Sequence, residues 1–206
     1  MAFLIKAAQI LFLVCVFTGL KAQDFDKQHK AFDASYSFEN KGDYTAAIRS
    51  LTDVYKNDSY EINLRLGWLY YLTGRFSESI TYYQKSTDLM PLSIESRLGY
   101  VNPAAALGNW AQVEKQYVEI LKIDPMHSTA NFRMGLMSYN REDYQSALRY
   151  FNKILNLYPF DYDITIMTAW SQLRTGKLRE ARVMFQKALL IRPNDASALE
   201  GLSLIR

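Results

Sequence analysis

The sequence has 206 residues, 49% of them hydrophobic and 14% aromatic, which is ample for a buried core in one or two domains. Five prolines and nine glycines exclude a collagen-like or low-complexity chain. Basic residues number 24 and acidic residues 21, and setting aside Lys6 and Lys21, which lie in a segment expected to be removed, leaves 22 against 21. With no basic run or tail in addition, nucleic acid is not an expected partner.

The N-terminus reads as a secretory signal over residues 1–22. Lys6 precedes an apolar stretch of 14 residues, Ala7 to Leu20, and then Lys21-Ala22-Gln23. A bilayer span needs roughly 20 apolar residues. A shorter run with a small residue at its end suits a cleaved signal, with cleavage after Ala22; an uncleaved N-terminal anchor is the alternative. The expected location is therefore exported, periplasmic or secreted. Cys15, the only cysteine, lies inside the apolar run. It follows Val14, where a lipoprotein signal wants a small residue, so lipidation is not expected. The remaining chain, 23–206, then has no disulfide, no thiol nucleophile and no cysteine-based metal site. No later stretch approaches membrane-spanning length.

Beyond the signal an internal period emerges. Pro91, Pro125, Pro159 and Pro193 stand 34 residues apart. Each follows a segment with helical spacing of apolar residues, and these segments align Tyr83, Tyr117, Phe151 and Phe185. One turn on, Ser86, Ile120, Ile154 and Ala188 align as well. A turn lies 17 residues before each proline: Gly74-Arg75-Phe76, Gly108-Asn109-Trp110, Glu142-Asp143-Tyr144 and Gly176-Lys177-Leu178. Gly42-Asp43-Tyr44 is an earlier copy. Glycine suits the position just past a helix end, where the backbone turns left-handed. A further helix precedes each turn, carrying a small residue after Leu66, Leu98, Met134 and Thr168, namely Gly67, Gly99, Gly135 and Ala169.

A helix-turn-helix unit of this length, with a small residue at the helix contact and a terminal proline, resembles the tetratricopeptide repeat. Five repeats are expected near 28–59, 60–92, 93–126, 127–160 and 161–194. A capping helix follows over 195–206, with Asp195 as its N-cap. The fold class is all-α, and the resemblance implies a right-handed α-solenoid. Two irregularities stand out. The first connection, Gly42 to Gly74, is shorter by two residues. In the third repeat Gly99 lies nine residues before Gly108, where Gly67 lies seven before Gly74. Its first helix is therefore expected to start early and carry two extra residues. A kink or π-bulge is expected near Tyr100 to Pro103, because proline inside a helix removes a hydrogen bond and clashes with the preceding turn.

Chemistry-bearing motifs are missing. His29 and His127 have no partner at metal-ligand spacing and read as surface or helix-start residues. There is no phosphate loop, nucleophile elbow, metalloprotease or calcium-loop pattern. Asp161-Tyr162-Asp163 reads as a helix start with acids at its positive end. No metal, cofactor or catalytic residue is expected.

The resemblance implies that the first helix of each repeat lines a concave face. Two positions before the small residue stand Arg65, Arg97 and Arg133. One position after it stand Trp68, Tyr100, Leu136 and Trp170. One turn further are Tyr71, Tyr139 and Leu173, then Arg174. Stacked repeats would turn these into a basic ladder beside an aromatic one, residue types that dominate binding hot spots. The expected function is a non-catalytic protein–protein interaction scaffold in the cell envelope, taking an extended peptide or a helix. The arginines would grip acidic groups of such a partner. The alternative is a carrier for an envelope glycan or lipid. Edge-to-edge self-association is a further use of the aromatic richness. Family members that dock chaperone tails carry Lys and Asn where this chain has Phe32, Tyr36, Leu64 and Trp68, so that use is not expected.

Overall fold

The computed structural model describes residues 24–205. The expected signal segment, 1–22, lies outside the described residues. Everything described is helix or short connection. The helices are α1 (24–40), α2 (Tyr44–Thr52), α3 (Tyr60–Leu72), α4 (Phe76–Leu89), α5 (Ile94–Ala106), α6 (Trp110–Ile123), α7 (Ser128–Asn140), α8 (Tyr144–Leu157), α9 (Tyr162–Arg174), α10 (Leu178–Ile191) and α11 (Ala196–Ser203). They pair as an α-solenoid and form two compact units, the first ending at Gly108 and the second beginning at Asn109.

Local chemistry explains the helix ends. Ser59, Ser93, Asp143, Asp161 and Asp195 cap the helices that follow them, each side chain accepting from a backbone N–H three residues on. His127 does the same for α7 through Nδ1, which accepts from the Ala130 N–H at 3.2 Å. At the end of α3, Gly74 has φ +74°; its N–H donates to the Tyr71 carbonyl and the Arg75 N–H to the Tyr70 carbonyl. This is the double bond of a Schellman cap. The α7–α8 turn makes the same two bonds, from Glu142 and Asp143, with Glu142 held at φ +62°. A side chain there is strained by about 1–2 kcal/mol.

In the first unit α3 packs on α2, α4 and α5. Ile62, Leu66 and Leu69 are fully buried beside Ala47 and Leu51. The Tyr83 ring lies against α3 and α5 where both carry glycine. A Cβ on Gly67 would sit 2.9 Å from that ring, and a Cβ on Gly99 2.1 Å from it. In the second unit Phe151 crowds Gly135 and Phe185 crowds Gly201 in the same way, at 2.5 and 2.2 Å. Glycine is therefore needed so that an aromatic ring can seat between helices at core density.

The early start and two-residue extension expected of the third repeat's first helix are not found. α5 has 13 residues, like α3, α7 and α9, so it carries no extension. It is α-helical throughout, with no π turn. Pro103 falls in its last turn, so only one helix bond is given up, and the carbonyl its ring would crowd belongs to Gly99. The shortening in the first repeat appears in α2, which has nine residues where α4, α6, α8 and α10 have 14. α11 ends at Ser203, short of the expected 206, with Leu204 as its C-cap.

Candidate functional site

Helix starts set the register. Gly67, Gly135 and Ala169 are each the eighth residue of their helix, but the eighth residue of α5 is Val101 and Gly99 is the sixth. The matches to Arg65 and Trp68 in α5 are therefore Gly99 and Asn102. Arg97 and Tyr100, expected in the ladders, are displaced from them by two residues. Tyr100 is only 6% exposed and belongs to the core. Arg97 occupies the fourth position of its helix, as Asn63 and Asn131 do. It donates to the Pro91 carbonyl at 2.8 Å, just as Asn63 donates to the Asn57 carbonyl and Asn131 to the Pro125 carbonyl. All three side chains tie a helix to the connection that precedes it.

The first unit contains a cavity of about 580 Å³ between the exposed sides of α1, α3 and α5. Its walls are Phe32, Tyr36, Leu64, Trp68, Tyr83 and Leu98, with Tyr60, Glu61, Arg65, Glu95, Gly99 and Asn102 supplying the polar part. Arg65 is 9% exposed and forms an ion pair with Glu39 of α1. The Trp68 indole Nε1–H donates to the other Glu39 oxygen at 2.8 Å. The Arg65 guanidinium also stacks 3.9 Å from the centre of the Tyr36 ring. Burial raises the Glu39 pKa, but the hydrogen bonds from Arg65 and Trp68 and the adjacent guanidinium charge outweigh it and hold the carboxyl below its ordinary value. One carboxylate thus fixes both an arginine and a tryptophan. Tyr71 braces that tryptophan, with ring centroids 5.9 Å apart.

The acceptors around the cavity differ from Glu39. Glu61 and Glu95 are exposed, and among the described residues they accept from hydroxyls: Ser59 to Glu61 at 3.1 Å and Tyr60 to Glu95 at 3.3 Å. Burial, then Glu95 and Tyr71, push the Tyr83 hydroxyl above the ordinary tyrosine value, so it remains a neutral phenol.

In the second unit the corresponding residues have other surroundings. Trp170 is half-buried; its Nε1–H donates to the Ser197 hydroxyl at 2.8 Å, and its ring meets Phe185 edge-on at 5.1 Å. Leu136 and Tyr139 are half-buried, and Tyr139 packs edge-on against Tyr144 at 5.1 Å. Arg133 is exposed and borders a hollow of about 320 Å³ with Phe132, Tyr158, Asp161 and Asp163. Arg174 is exposed at the end of α9.

Family models described as tetratricopeptide repeat match residues 32–92, 102–162 and 140–204. The chain belongs to the tetratricopeptide repeat family. Among curated relatives, human protein O-mannosyl-transferase TMTC1 is 29% identical over 67% of this chain and 16% of its own length. The TPR repeat-containing protein YpiA of Bacillus subtilis is 23% identical over 79% of this chain and 39% of its own length. The mouse anaphase-promoting complex subunit 7 is 23% identical over 82% of this chain and 30% of its own length. The chain thus spans well under half of each. Among solved structures, a tetratricopeptide repeat protein from Parabacteroides merdae superimposes with a TM-score of 0.73 at 22% identity, over 87% of this chain and 72% of the other. MamA superimposes with a TM-score of 0.69 at 20% identity, over 81% and 92%.

Within this repeat framework Glu39, the residue that organises the cavity, was not among the expected site residues. Nor were Tyr60, Glu61, Glu95 and Asn102. Counting one period of 34 from Trp68 leads to Asn102, and that signal was available. The Glu39 contact was not legible, because it depends on how α1 is placed against α3.

Proposed function

We propose that this tetratricopeptide repeat protein is a non-catalytic protein-interaction scaffold that holds an extended segment or helix of a partner against the first-helix faces of its first unit. The observation that carries the reading is the aromatic cavity of the first unit, whose arginine and tryptophan are preset by Glu39. Side chains fixed before binding lose less entropy on association. YpiA and the Parabacteroides merdae protein are tetratricopeptide repeat proteins by name and the anaphase-promoting complex subunit belongs to an assembly, and assembly is the use most in keeping with this surface. We further propose export to the cell envelope, on the strength of Lys6, the apolar run to Leu20 and the small residue Ala22.

Selection of a random displayed-peptide library on the whole chain tests the reading. Saturable binders that are lost from a Tyr36→Ala/Trp68→Ala variant still folded at the assay temperature are expected. Binders that persist on that variant would move the surface elsewhere. The same aromatic walls could stack on sugar rings, which keeps a glycan or lipid carrier as the second reading. Stabilisation by a panel of envelope glycans or lipids, with no peptide selected, would replace the first reading by the second.

A further inference from the structure

Building on the peptide-binding reading above, we infer that the first-unit cavity selects a partner segment through a basic side chain, lysine or arginine, and not through an acidic one. The cavity contains one cation, Arg65, and its charge is already matched by Glu39. An incoming carboxylate would meet a guanidinium already neutralised by Glu39 and stacked on Tyr36, whose unpartnered Nε–H is buried. The remaining polar wall is rich in acceptors. Glu61 and Glu95 accept only from neutral hydroxyls, so both negative charges are uncompensated by a bonded cation among the described residues. Asn102 adds an amide oxygen on the same wall.

The aromatic walls complete the match, since they cover a long aliphatic stem and attract a cation to their faces. The cation-seeking groups are thus the two carboxylates and the ring faces, while the Asn102 amide can accept or donate.

The test uses the full chain immobilised and three libraries of short synthetic peptides with randomised flanks. The central residue is fixed as lysine, as norleucine, or as glutamate. The expected result is retention of the lysine library about tenfold above the other two at low salt, a preference that shrinks as salt rises. A Glu61→Gln/Glu95→Gln variant, altered only on exposed residues and checked for an unchanged melting temperature, is expected to lose the preference. Equal retention of the three libraries, enrichment of glutamate, or a preference that survives in the double variant would overturn the inference while leaving peptide binding intact. Retention of no library by a folded chain would overturn both this inference and the reading it rests on.

Discussion

Trp68 and Trp170 are both the ninth residue of a 13-residue first helix, yet the two units use them differently. In the first unit the indole N–H goes to a carboxylate of the preceding first helix, Glu39, and the ring stays 37% exposed at a cavity. In the second unit the indole N–H goes to a hydroxyl of the following first helix, Ser197, and the ring packs on Phe185, itself fully buried. One repeat position therefore lines a cavity in one place and packs against a core ring in the other. The indole with a carboxylate partner from the preceding helix stays at the surface beside an arginine, and the one with a hydroxyl partner from the following helix packs inward.

The largest expected effect would break this comparison directly. Trp170→Ala should cost about 2–4 kcal/mol of stability, near the lower part of the range for buried aromatic truncations, because the ring is half-buried. Trp68→Ala should cost less, about 1–2 kcal/mol, since its ring is 37% exposed and its packing partners are themselves outside the core. Urea denaturation of the two variants measures the gap; equal losses would mean that the two tryptophans have the same role.

Next in size is the Glu39 pair. Glu39→Gln should destabilise by about 1–3 kcal/mol, because the nearly buried Arg65 loses its counter-charge while Glu39 itself retains some access to water. The effect carries a pH signature. Glu39 ionises more readily in the folded chain than in the unfolded one, so its contribution is complete above the ordinary value of 4.5 and is lost as pH falls through the lowered folded value. Denaturation midpoints followed into acid should fall more steeply for the native chain than for Glu39→Gln over that window. Parallel curves would remove Glu39 from the account.

Smaller still, Ser197→Ala should cost about 1 kcal/mol by orphaning the Trp170 N–H, and should leave the first-unit cavity unaffected. The smallest effect is a gain. Glu142→Gly should stabilise the second unit by about 0.5 kcal/mol, because the turn that Gly74 makes without strain is made there by a glutamate at φ +62°, a gain partly offset by the extra freedom of glycine in the unfolded chain. Thermal melts resolve both changes, and a destabilised Glu142→Gly would contradict the strain argument.

The fold was largely legible because its signals are local. Prolines, turn glycines and N-caps each act within a few residues, and a period repeated along the chain reinforces them. The seat of Tyr83 could be anticipated from the small residues, although Gly99 does not stand at the repeat position it was aligned to. That misalignment moved Arg97 and Tyr100 into the ladders, whereas the start of α5 after Ser93 puts one on the preceding connection and the other in the core. The cavity was half legible. Arg65, Trp68 and Tyr71 were read from their residue types, but Glu39 pairs with Arg65 across 26 residues, and no local pattern encodes that contact.

The most direct test of the central claim sets the two tryptophans against each other in binding. The native chain, Trp68→Ala and Trp170→Ala are each exposed to the same random peptide library at a temperature where all three are folded. The account predicts that Trp68→Ala recovers no binders although it melts above Trp170→Ala, and that Trp170→Ala recovers the native set. Loss of binders from Trp170→Ala with retention by Trp68→Ala would contradict it and place the binding surface in the second unit.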